Sequence, residues 1–151
     1  MLGRTHLAFG FLTALVMKNI VPTGNIFIFF SMVLLGSLLP DIDSPKSKIV
    51  NKFPWLLKPV SAVTKHRGVF HSLILAIPIS ALVFYFISKP YGVALFIGYF
   101  SHLLIDGLTH EGVNFLHPFS KLHLSGFIET GKLVEHLILI GIVVAILLKL
   151  F

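Results

Sequence analysis

Apolar and polar positions fall in long blocks along this chain. Five blocks are dominated by Leu, Ile, Val, Phe and Ala: 5–20, 25–39, 69–88, 91–108 and 132–150. A helix of roughly 20 mainly apolar residues crosses the hydrocarbon core of a bilayer, so each block predicts one membrane-spanning helix. The first two blocks are somewhat short, which puts their ends in the interface. Pro22-Thr23-Gly24 separates the first from the second, and Lys89-Pro90 the third from the fourth. Such breakers in short connections predict tight helical hairpins. The other two connections, 40–68 and 109–131, are long. With five spans, both long loops and the N-terminus share one face of the membrane. The expected fold is all-α: a membrane bundle of about five transmembrane helices, one domain over 1–151, without linker, repeat or low-complexity tract.

Composition points the same way. The chain is 56% hydrophobic, contains 15 phenylalanines and is 12% charged, against roughly 25% charge in an ordinary soluble domain. Mean hydropathy is +0.94. No small-x-small cleavage pattern precedes Lys18, so the first block is expected to be a retained helix. Cysteine is absent, which excludes disulfides and thiolate metal sites. A net charge of +6 would suggest nucleic acid in a soluble protein. In a membrane protein it records the cytoplasmic bias of lysine and arginine, and no nucleic-acid partner is expected. The loop face carries Arg4, Lys46, Lys48, Lys52, Lys58, Lys65, Arg67, Lys121 and Lys132; the opposite face carries Lys18, Lys89 and Lys149. This asymmetry predicts a cytoplasmic loop face, in a plasma or inner membrane. Phe53-Pro54-Trp55-Leu56-Leu57, between Lys52 and Lys58, reads as an interfacial anchor. Leu122, Leu124, Phe127 and Ile128 around Ser125-Gly126 predict a small hairpin or a partly inserted loop.

Four polar clusters stand at the loop-side ends of these blocks: Thr5-His6, Asp41-Ile42-Asp43, His66 through His71-Ser72, and Ser101-His102 through Asp106. They hold three of the six carboxylates and four of the eight histidines. Ionisable groups are costly at membrane depth and usually mark function. Counting spans puts His6, Asp41, Asp43, His66, His71, His102 and Asp106 at one level. His102 and Asp106, four residues apart, share one helical face, which Thr109 continues. Histidine with aspartate suits borderline divalent ions, and a helical bundle can present such pairs inward to a two-metal site. Two divalent ions would offset three carboxylates. Zinc is the favoured ion, with manganese or iron also compatible.

Other residues have two readings. Arg67, between two candidate ligands, suits a phosphate oxygen pair or a cytoplasmic-side anchor. Glu135 opens the last block as an outer ligand, a general base or a partner of the helix dipole. His110, His117 and His123, with Glu111, lie in the second loop, where they would cover the site, contact substrate or simply face solvent. Gly36, Gly98 and Gly107 would let helices approach closely.

The four motifs in order, Thr5-His6, Leu39-Pro40-Asp41-Ile42-Asp43-Ser44, His66-Arg67-Gly68 through His71-Ser72, and Gly98-Tyr99-Phe100-Ser101-His102 through Asp106 with Thr109, resemble the YdjM-type membrane-bound metal-dependent hydrolases. The resemblance spans nearly the whole chain and implies a membrane location and a divalent metal. Gly112 and His117-Pro118-Phe119-Ser120 look similar to that family's loop, with histidine where tryptophan is expected. More loosely, the His-x-x-x-Asp pair is similar to zinc phospholipase C and P1-type nuclease sites.

The expected function is a metal-dependent phosphoester hydrolase acting on a lipid-borne substrate, a phospholipid or lipid phosphate, at the cytoplasmic membrane surface. Asp43 would bridge the ions or accept a water proton, and Arg67 would neutralise the phosphate. The alternative is a non-enzymatic metal-binding, transport or sensor protein. Against transport, the far halves of the spans are almost purely apolar, the third offering little beyond Pro78 and Ser80.

Overall fold

The computed structural model describes residues 1–44, 48–52, 54–55, 68–120 and 123–151. Five long helices carry the fold: α1 (Gly3–Met17), α2 (Ile26–Gly36), α3 (Leu73–Phe86), α4 (Lys89–Gly107) and α5 (Leu133–Leu150). A short helix occupies Lys48–Lys52, and single 3-10 turns occupy Leu39–Asp43 and Val69–His71. Among the described residues there is no sheet. Two isolated bridges, Thr109 with Ile128 and Val113 with Leu124, tie the start of the long loop to its end, and neither pairs residues across Ser125-Gly126 as a local hairpin there would.

Each long helix falls within or close to its apolar block, and the departures have local causes. Asn25 stands outside α2 because its Oδ1 accepts the Phe27 and Ile28 N–H groups at 3.0 and 3.3 Å, an N-cap. Lys89-Pro90 was expected to break the chain, yet it forms the first turn of α4. Proline is tolerated there because a first-turn N–H has no intrahelical partner. Asp41 and Asp43 do not end α2; they lie on the tight turn that follows it.

Helix α4 is the hub and packs on α2, α3 and α1, while α5 lies against α1. The α2–α4 contact is backbone to backbone. A Cβ on Gly98 would overlap the Val33 carbonyl, and one on Gly36 the Leu95 carbonyl. Gly107 is different, since a Cβ there would meet only the Phe115 ring at 3.8 Å.

By length and composition, α5 is the one described helix able to cross a membrane; α2 and α3 are apolar but shorter. Most outward positions of the helices are apolar: Phe86, Leu82, Leu137, Ile140 and Leu148 are all exposed. In water so continuous an apolar exterior would be costly; lipid tails accommodate it.

Candidate metal centre

Short hairpins close the far end of the bundle, so the near end gathers the start of α1, the two 3-10 turns, the end of α4 and the start of α5. Polar groups converge there. Thr5, His6, Asp43, His71, Ser72, His102, Asp106 and Glu135 are all buried.

Asp106 is the centre of the cluster. Its Oδ1 lies 3.2 Å from His6 Nε2 and against the Met1 ammonium. Its Oδ2 lies 3.5 Å from His102 Nε2 and 3.6 Å from His71 Nε2. The His6 and His102 rings stack at 3.7 Å, only 8° from parallel, and His71 meets His102 edge to face at 5.2 Å. Asp41, half-buried on its turn, brings Oδ1 to 4.0 Å from His102 Nε2.

Two groupings result, His71–His102–Asp106 and His6–Asp41–His102; in each, three donor atoms lie within 4.8 Å of one another. Bonds of about 2.0–2.1 Å to a tetrahedral zinc separate neighbouring ligand atoms by about 3.3 Å. The 3.5 and 3.6 Å edges at Asp106 Oδ2 are close to that spacing.

Ring orientation can be worked out atom by atom. A carbonyl only accepts, so His102 Nδ1–H donates to the Ser37 carbonyl at 2.7 Å, which leaves the Nε2 lone pair aimed at the cluster. Likewise His71 Nδ1–H donates to Asp43 Oδ2 at 3.2 Å, leaving Nε2 toward Asp106. A ring nitrogen tied behind and a lone pair held in front is the arrangement that metal-binding histidines adopt. Among the described residues, both ring nitrogens of His6 and Nε2 of His102 are buried without a well-formed hydrogen bond. Such atoms are costly to bury, and coordination would satisfy a lone pair on each ring. The donor set and its spacing therefore fit a divalent ion.

The expected site residues divide by position. His6, Asp41, His71, His102 and Asp106 come together in the two groupings. Asp43 stands behind His71 rather than in either grouping. Glu135 faces the start of α1: Oε1 accepts the Leu2 N–H at 2.6 Å and the Thr5 hydroxyl at 2.8 Å, and Oε2 accepts the Gly131 N–H at 2.6 Å. His66 and Arg67 lie outside the described residues. His110 and His123 are exposed, and His123 Nε2–H donates to the Glu111 carbonyl at 2.9 Å; neither these two nor the half-buried His117 belongs to a grouping. Thr109 is buried, its hydroxyl donating to the Asp106 carbonyl at 2.7 Å.

Sequence reasoning missed three supports. The Ser37 carbonyl is backbone and leaves no sequence signal. The Tyr99 hydroxyl donates to the Phe70 carbonyl at 2.5 Å and steadies the turn that carries His71. Arg4 Nη2 donates to His136 Nε2 at 2.7 Å, beside the Glu135 contacts, as a second clasp between α1 and α5.

The family model described as YdjM inner membrane protein matches residues 1–150. The chain belongs to the YdjM inner membrane protein family. That membership agrees with the membrane location expected from hydropathy. Among similar proteins, the uncharacterized protein YvsG of Bacillus subtilis is 37% identical over 118 residues, covering 74% of this chain and 71% of YvsG. Inner membrane protein YdjM of Escherichia coli is 33% identical over 129 residues, covering 78% of this chain and 66% of YdjM. The YdjM of Shigella flexneri aligns with the same figures. No solved structure matches the chain at a significant level. The YdjM membership and the buried His/Asp cluster together define a membrane protein with a candidate metal centre.

Proposed function

We propose that this YdjM-family protein is a divalent-metal-dependent phosphoester hydrolase of the membrane, acting on a lipid-borne phosphate at the cytoplasmic face, with α1 to α5 as its five spans. The observation that carries this reading is the buried Asp106 carboxylate, with His6 on one oxygen and His71 and His102 on the other.

His71, His102 and Asp106 would hold one ion; His6 and Asp41, with His66 on sequence grounds, would supply a second. Zinc is the preferred species for this nitrogen and oxygen set. A divalent ion, when bound, supplies Lewis acidity toward a phosphoryl group and lowers the pKa of nearby water. The protein's part is positional. Ser37 and Asp43 fix the two imidazoles. Glu135 ties the first turn of α1, and with it His6, to α5. Arg67 would meet the phosphate, as its place beside His66 suggests. At headgroup depth the scissile group arrives already oriented, which removes much of the entropic barrier.

A second reading, a metal-binding protein without turnover, draws support from the burial of His102 and Asp106, 0% and 2% exposed. One experiment separates the two. Metal is counted in detergent-purified wild type, His102→Ala and Asp106→Asn without metal supplementation, and phosphatidic acid turnover is measured on the same samples. Bound metal that falls by more than half in both variants, together with turnover by wild type alone, is the expected result. Metal loss without turnover in any form selects the second reading. Metal content unchanged in both variants overturns the centre itself.

A further inference from the structure

The α1–α4 seam has two regions. At the loop end it closes on the stacked rings of His6 and His102. Immediately below, it opens into a groove of about 360 Å³, bounded on α1 by residues from Phe9 to Met17 and on α4 by residues from Phe96 to Leu104. Phe9 is three residues from His6, and Ser101 is adjacent to His102, so the groove begins within about one helical turn of the cluster. The groove stays open because α5 covers α1 and leaves this flank of α4 largely bare.

Its walls suit a hydrocarbon and nothing more polar. The two hydroxyls that line it are already bonded within their own helices, Thr13 to the Phe9 carbonyl and Ser101 to the Gly98 carbonyl. Neither would reward a sugar or peptide for entering. Length is also informative. Nine residues of each helix, eight steps at 1.5 Å each, make a wall of about 12 Å. One leaflet of a core about 30 Å thick is about 15 Å deep. A groove that starts at the cluster therefore ends within the same leaflet. Phe119 and Phe127, both more than four-fifths exposed on the loop above, suit insertion among headgroups, which puts the cluster at the level where a phospholipid carries its phosphate.

We propose that this groove seats one acyl chain of a membrane phospholipid whose headgroup lies at the His/Asp cluster. The role of the headgroup rests on the phosphoester reading; the chain seat rests on the groove.

The test uses phosphatidic acid carrying a mid-chain diazirine, in nanodiscs with the purified full chain. After photolysis, label is expected to concentrate on the groove walls of α1 and α4. It should fall roughly tenfold or more in Thr13→Trp, whose indole fills the groove, and stay unchanged in Leu82→Trp on the exposed face of α3. Val16→Trp, at the half-exposed far end, provides a second plug should Thr13→Trp fail to fold. Label spread evenly over the outward faces of α3 and α5, or undiminished by a folded plug variant, overturns the seat. Metal content and turnover of a water-soluble phosphomonoester, on the same samples, keep the two readings apart. A plug that removes label and long-chain turnover but spares metal and soluble turnover supports the seat. A wild type labelled in the groove that cleaves neither substrate retains the seat and removes the phosphoester reading.

Discussion

His71 and His102 meet the cluster with their tautomers already decided, one by a carboxylate and one by a carbonyl. Asp43 is therefore expected to act through His71. Asp43→Ala should lower metal affinity by about 10–100-fold, the usual effect of removing an orienting partner, and Asp43→Asn by less, because its amide oxygen can still accept. Competition against a chromophoric chelator measures both. At this scale the sequence was informative where spacing fixes a face. His102 and Asp106 share a helix four residues apart, and span counting set His6 and Asp41 level with them. It was silent where a turn decides direction. Nothing in Asp41-Ile42-Asp43 indicates which carboxylate points toward His102 and which to His71, because that choice belongs to the 3-10 geometry of Leu39–Asp43. The three donors that surround Glu135 were equally hidden, two being backbone N–H groups, Leu2 from across the fold and Gly131 from just before α5.

The helices depend on two glycines and one glutamate to hold their relative positions. Gly36→Ala or Gly98→Ala would push a methyl into a backbone carbonyl of the facing helix. Each should cost about 1–3 kcal/mol or more, whereas Gly107→Ala should stay within about 0.5 kcal/mol. Thermal midpoints in detergent would rank the three. Glu135→Ala strands the Leu2 and Gly131 N–H groups and the Thr5 hydroxyl, for a loss of about 3 kcal/mol. Glu135→Gln keeps Oε1 as acceptor but turns an amide N–H toward that of Gly131, for about 1 kcal/mol. If Glu135 is a clamp, Glu135→Gln retains metal and any turnover; loss of turnover with metal and fold intact would make it a base instead. Helix existence was legible from the apolar blocks, while helix ends were not. Asn25 and Pro90 act by where they stand in a first turn, as cap or helix start, and composition alone does not carry that position.

For the whole molecule, the cluster sets three aspartates at one end of an apolar bundle, so an ion that binds only the folded form adds to stability. Stripping metal with a chelator should lower the thermal midpoint of wild type, the direction mass action requires. The same treatment should shift Asp106→Asn by much less. That His6, Asp41, His71, His102 and Asp106 meet at one end of the bundle was legible from counting spans. The sharing of one imidazole, His102, between the two groupings was not, because it depends on the packing of α1 against α4 that stacks His6 on His102 at 3.7 Å. That sharing has a consequence for occupancy. With Nδ1 committed to Ser37, His102 has a single lone pair to give, and both groupings claim it. Two ions bound together could not both take His102, so the second would be held by the remaining ligands alone, and more weakly.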